Sequence, residues 1–144
     1  MIQESARTGI VQKDKETVAL IPEIKFGMLT PETLEKLASV SRKYEIPAIK
    51  ITSAQRIALV GVKPEHVEAI WDELGMEPGH GLGTGLNYIQ SCPGTSVCRL
   101  GQRDSLEMAE RIYDAIKPLG IESKIKFGVS GCPLQCGEGA IRDI

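Results

Sequence analysis

Aromatic side chains are scarce in this sequence: one tryptophan, three tyrosines and two phenylalanines in 144 residues. Proteins that bind single-stranded nucleic acid stack its bases on such rings, so no nucleic-acid partner of that kind is expected. Charge of one sign is lacking as well. Lys and Arg number 17 against 19 Asp and Glu, a net charge of −2, without the basic excess that phosphate backbones require. There is no apolar run of the length that spans a membrane, so no membrane partner is expected. The opening residues, MIQESARTGIVQKDKE, contain no apolar stretch of the kind that marks a secretory signal. The expected location is therefore cytoplasmic, where structural disulfides are rare. Internal repeats and low-complexity tracts are missing too. What remains is 42% hydrophobic and 25% charged, the composition of an ordinary globular chain with one domain, or a small domain plus an appended module.

Local patterns predict a mixed α+β order. Thr17–Ile21 reads as a strand, with Pro22 limiting how it pairs. Thr30 is a good N-cap and Pro31 a good first helical residue, and Leu34, Leu37, Ala38 and Ser41 follow at helical spacing. Ala48–Thr52 and Arg56–Val62 read as a hairpin turning at Ser53-Ala54-Gln55. Pro64 opens a second helix with Val67, Ile70, Trp71 and Leu74 along one side, and Gly75 stops it. This order is most of a ferredoxin-like unit, with Leu86–Gln90 as a candidate closing strand. Between them, five of the eleven residues from Gly75 to Gly85 are glycine. That stretch is a loop, either a flexible connector or a place where backbone approaches a bulky cofactor. Its spacing lacks the strand and helix flanks of a dinucleotide fingerprint. His80 stands alone within it, and a lone loop histidine is more often exposed than functional. Further on, Asp104–Lys117 predicts a helix lined by Ala109, Ile112, Tyr113 and Ile116, and Lys124–Ser130 alternates like a strand. Trp71 and Met108 read as core residues.

Four cysteines fall in two pairs, Cys92 with Cys98 and Cys132 with Cys136, each just after a predicted strand. In a reducing compartment such pairs point to metal or redox chemistry, and soft thiolates select zinc, copper(I) or iron–sulfur clusters. Zinc sites favour two to four residues between paired ligands, which Cys132/Cys136 satisfies and Cys92/Cys98 exceeds. Spacing alone leaves a cluster, a zinc site and unligated thiols all open.

The runs Cys92-Pro-Gly-Thr-Ser-Val-Cys98 and Ser130-Gly-Cys132-Pro-Leu-Gln-Cys136 resemble the siroheme and four-iron cluster signature of sulfite and nitrite reductases. Upstream, Gly27-Met-Leu-Thr-Pro-Glu-Thr-Leu and Ile49-Lys-Ile-Thr-Ser-Ala-Gln-Arg56 are similar to that family's ferredoxin-like half-domain. The resemblance covers about residues 16–144. It implies an α+β fold with a ferredoxin-like half-domain over residues 1–80, followed over 86–144 by the start of a cluster- and siroheme-binding module, incomplete at its C-terminal end. It implies further that Cys92, Cys98, Cys132 and Cys136 ligate one [4Fe–4S] cluster, and that Cys136 also bridges to the siroheme iron.

Siroheme is rich in carboxylates, and sulfite and nitrite are anions, so such a site needs positive charge. By the resemblance, Lys124 and Lys126, two apart and hence on one strand face, bind the oxyanion and supply protons. Lys50, Gln55, Arg56 and Arg99 are the expected partners of the cofactor's carboxylates, and Arg142 is a further candidate. Family reductases commonly carry arginines in the first strand region and just before the first cysteine. Ile21–Lys25 and Asn87–Cys92 contain none, which leaves Lys25 or Lys50 there without a guanidinium's bidentate fork.

The expected function is six-electron reduction of sulfite or nitrite, with electrons from a donor such as ferredoxin. The family holds siroheme between two pseudo-symmetric halves. Either a partner supplies the remaining walls, a second copy in a homo-oligomer included, or the sequence is a truncated or a compact, small assimilatory-type member, which is the favoured expectation. The alternatives are a cluster-only electron-transfer protein, a tetrapyrrole-modifying relative, and a structural zinc module.

Overall fold

A computed structural model describes residues 4–5, 7–79 and 85–144. The chain forms two compact units: Met1–Ile24 with Met28–Leu82, and Lys25–Gly27 with Gly83–Ile144.

The first unit is built on β1 (Ile10–Val11), β2 (Val18–Leu20), β3 (Ala48–Ile51) and β4 (Ile57–Val62). They lie in the order β1-β2-β4-β3, every neighbouring pair antiparallel. Helix α1 (Pro31–Lys43) starts as its sequence dictates. The Thr30 hydroxyl oxygen accepts the Thr33 N–H at 3.3 Å, and Pro31 sits where a missing N–H costs nothing. Helix α2 (Val67–Leu74) ends at Gly75. Leu37 and Val40 of α1 and Val67, Ile70, Trp71 and Leu74 of α2 pack with Val18, Leu20, Ile57, Leu59 and Val62 into one core. Leu34, which helical spacing offers to that core, is exposed, and Val40 fills the inward position. The hairpin turn is closed by the Thr52 N–H donating to Arg56 O at 2.8 Å, with Gln55 in the left-handed region at φ +55°.

The second unit is a parallel pair, β5 (Gly85–Ser91) and β6 (Lys124–Val129), joined through helix α3 (Ser105–Ile116). Asp104 caps α3, its carboxylate accepting the Glu107 N–H at 2.9 Å. Ile89 and Phe127, with Leu86, Ile125 and Val129, pack against Leu106, Ala109, Ile112, Tyr113 and Ile116. Phe26, from the short turn Lys25–Gly27, belongs to the same core. Met108, offered by the sequence as core, is 46% exposed. It lies one position off the stripe that Ala109, Ile112 and Ile116 define. The chain's last residues run along the free edge of β6. Asp143 and Ile144 donate N–H groups to Lys126 O at 3.1 and 3.3 Å, and Gly128 N–H donates to Ile144 O at 2.9 Å, the slanted pattern of parallel pairing.

The place of the closing strand is corrected as well. Leu86–Gln90 does not close the first sheet; it is part of β5 and pairs with β6. The two-residue β1 takes the outer place beside β2 instead. Alternation says which face of a strand is apolar, and it leaves the neighbour undetermined. Among the described residues no helix is long and apolar enough to cross a membrane.

Candidate functional site

Parallel pairing of β5 with β6 sets Ser91 beside Val129. The strands therefore release their two cysteine-bearing turns at the same end and side by side. The Cys92 N–H continues the pairing by donating to Val129 O at 3.1 Å. The Gly131 N–H donates to the Cys92 sulfur at 3.1 Å. Gln102 and Arg103, leading into α3, both donate N–H groups to Gly131 O, at 2.9 and 3.0 Å.

Side chains would not fit where these segments meet. A Cβ on Gly94 would lie 2.4 Å from Ser105 Oγ and 2.6 Å from Arg103 O. Gly94 also holds φ +54°, so glycine is required there twice over. The turn carrying Cys136 lies flat on the end of β6. Gly137 N–H donates to Ser130 Oγ at 2.9 Å, and a Cβ on Gly137 would fall 2.0 Å from Val129 O. Strand ends and glycine contacts thus fix the backbones of both cysteine turns before any ligand binds.

All four thiols are free; Cys92, Cys98 and Cys132 are half-buried and Cys136 is exposed. Burial pushes the Cys92 thiol up. Hydrogen bonds from Ser105 and from the N–H groups of Gly131 and Gly94 outweigh it and leave the thiol below its ordinary value. A soft sulfur that accepts a backbone N–H and has a hydroxyl 3.3 Å away, as Cys92 does, has the surroundings of an iron–sulfur thiolate, and the donor set of four cysteines fits such a cluster in its chemistry. Among the described residues no three His, Cys, Asp or Glu converge on one metal ion.

Lys124 and Lys126 share one face of β6, because Ile125, Phe127 and Val129 face the core. Register places Tyr88 beside Lys126, and Gln90 beside Gly128, on that same face. Lys124 is exposed and Lys126 half-buried. The Arg142 guanidinium lies 5.4 Å from the Tyr88 ring centroid. It donates to Gln90 Oε1 at 2.7 Å and to the Glu138 carboxylate. Its buried Nε has no hydrogen-bond partner among the described residues. The guanidinium thus sits against Tyr88 and Gln90, which register places on the face of Lys126, with its charge paired to the Glu138 carboxylate.

Arg99 is exposed and follows Cys98 in the second unit. Lys50, Gln55 and Arg56 belong to the first unit. Lys50 is exposed on β3, Gln55 stands at the turn, and Arg56 is buried with its Nη1 close to the Gly79 backbone. His80 lies outside the described residues. Sequence reasoning missed Ser105, which touches the Cys92 sulfur from thirteen positions downstream. No motif spacing marks such a contact.

The family model described as the nitrite/sulfite reductase ferredoxin-like half domain matches residues 10–77. An assimilatory-type sulfite reductase of Nitratidesulfovibrio vulgaris is 45% identical over 143 residues, which is 99% of this chain and 66% of that protein. The nitrite reductase [NAD(P)H] of Bacillus subtilis is 37% identical over 93% of this chain and 16% of its own length. The chain thus spans just under two thirds of the first relative and about a sixth of the second. A solved structure of dissimilatory sulfite reductase I aligns with a TM-score of 0.67 at 25% identity, covering 84% of this chain and 29% of that one. The NirA protein of Mycobacterium tuberculosis shares the fold at the same TM-score, with 19% identity.

Proposed function

The chain belongs to the nitrite/sulfite reductase family, and from that premise we propose that it takes part in the six-electron reduction of sulfite or nitrite, carrying a [4Fe–4S] cluster and siroheme. The observation that carries the proposal is the parallel β5–β6 pair, which sets two cysteine turns side by side and brings the Gly131 N–H and the Ser105 hydroxyl to the Cys92 sulfur. Cys92, Cys98, Cys132 and Cys136 would hold the cluster, with Cys136 shared with the siroheme iron. When bound, the two centres supply electrons one at a time and a metal site for the anion.

The chain's own residues do the rest. Lys124 and Lys126 present two ammonium groups on one strand face, where they bind the oxyanion and give protons to oxygen leaving as water. Lys50, Gln55, Arg56 and Arg99 are the proposed partners of the cofactor's carboxylates. Arg142 is held on that side of the β5–β6 pair by its hydrogen bonds to Gln90 and Glu138. An electron donor such as ferredoxin and a second protein surface closing the cofactor, a further copy included, complete the proposal.

The test is a visible spectrum of anaerobically purified protein with and without sulfite or nitrite. Siroheme's Soret and long-wavelength bands, shifted by the anion, are the expected result. A broad brown absorbance lacking those bands would put a cluster-only electron-transfer protein in its place. A colourless protein with one bound zinc would end both readings.

A further inference from the structure

We propose that the Ser105 hydroxyl donates a hydrogen bond to the Cys92 sulfur when that sulfur is bound to iron, and that Ser91 releases it to do so. The proposal rests on the reading of Cys92 as a cluster ligand. Ser105 is the first residue of α3 and is 1% exposed. Its Oγ lies 3.3 Å from Cys92 Sγ and donates to the Cys92 carbonyl at 2.6 Å. A hydroxyl has one proton. With a free thiol at Cys92, the S–H supplies the hydrogen between sulfur and Oγ, and the Ser105 proton is left for the carbonyl. A sulfur bound to iron has no hydrogen to give, so sulfur and carbonyl then compete for the Ser105 proton.

The carbonyl has a second donor and the sulfur gains by the exchange. Ser91 Oγ, also buried, stands 2.9 Å from Cys92 O and 3.1 Å from Ser105 O, so its one proton can serve either carbonyl, and turned to Cys92 O it supplies that acceptor without Ser105. With that acceptor satisfied, the Ser105 proton turns to the negatively charged sulfur, where a charge-assisted bond is the stronger one. It joins the Gly131 N–H already there. A hydrogen bond to cluster sulfur favours the reduced, more negative state and raises the reduction potential. Ser105 acts through Cys92, so it is a positioning residue, and its readout is a potential.

The experiment is a redox titration, followed by visible absorption or electron paramagnetic resonance, of the full chain with its cluster assembled. The samples are wild type, Ser105→Ala, Ser91→Ala and the double variant. Ser105→Ala is expected to lower the reduced-to-oxidised ratio at a fixed ambient potential by roughly three- to tenfold, tenfold being about 59 mV for one electron. Ser91→Ala shifts it in the same direction, since Ser105 is then held at the carbonyl, and the double variant falls no further than Ser105→Ala. An unshifted potential in Ser105→Ala, or additive shifts, overturns the proposal. Should Ser105→Ala fail to keep its cluster, Ser91→Ala reads the same proton, and an unchanged potential there is equally fatal. Iron and labile sulfide measured on the same samples separate two failures. A wild type without a cluster fails the ligand reading itself; a full cluster with no shift fails the Ser105 assignment alone.

Discussion

Replacing Cys132 with alanine is expected to cut the iron and labile sulfide of the anaerobically purified protein at least about tenfold and to loosen the second unit while the first stays folded. The two units differ in what holds them. Among the described residues the first buries a core of twelve apolar side chains, from Val18 to Leu74. The second buries only Phe26, Ile89, Ala109 and Phe127, with the remaining apolar contacts half-buried. Small cores need a further tie, and metal binding that depends on folded geometry is itself folding free energy. With Cys132 among the proposed cluster ligands, losing its thiolate would remove cluster and stabilisation together, on the order of several kcal/mol. Amide hydrogen exchange reads this directly. Protection in β5, β6 and α3 falls in Cys132→Ala, while β2, β4, α1 and α2 keep theirs. Unchanged iron content in the variant would remove Cys132 from the ligand set.

Lys126→Met is expected to reduce sulfite or nitrite turnover by about 10² or more while cluster content holds, a loss typical of removing a preorganised charge from a reaction centre. The strand dictates the geometry: with Ile125 and Phe127 committed to the core, Lys126 has only the face that Tyr88 and Gln90 share. Lys126 is half-buried and Lys124 exposed, and a charge less screened by water acts more strongly. Lys124→Met should therefore cost less than Lys126→Met. Lys126→Arg keeps the charge but gives up a transferable proton, so it should recover substrate affinity more than rate. Dye-linked assays at matched iron content measure all three. Full activity in a variant lacking both lysines would contradict the assignment.

Much of this was legible in the chain because local rules coincide with the tertiary outcome. Thr30 and Pro31 start α1 where capping chemistry places the start, and Val67, Ile70, Trp71 and Leu74 are all buried. The cysteine pairs announce themselves by their Pro and Gly neighbours after strands, and the ferredoxin-like half-domain by its hairpin. What was illegible depends on neighbours that the sequence does not order. Alternation in Leu86–Gln90 describes a strand but not its partner, and the partner is β6. Two residues, Ile10 and Val11, are too few to show a period, yet they form an edge strand. Arg56 reads as a cofactor-facing cation beside a turn, and its burial follows from how the Gly79 backbone packs against it. Ser105 is an unremarked serine after a capping aspartate until the β5–β6 register brings Cys92 against it.

The most direct test of the account counts iron and acid-labile sulfide per chain in protein purified and handled without oxygen. About four irons and four sulfides per chain, with further iron where siroheme is present, is the result the proposed four-cysteine ligand set predicts. One zinc per chain with no labile sulfide, or no metal at all under those conditions, would contradict it.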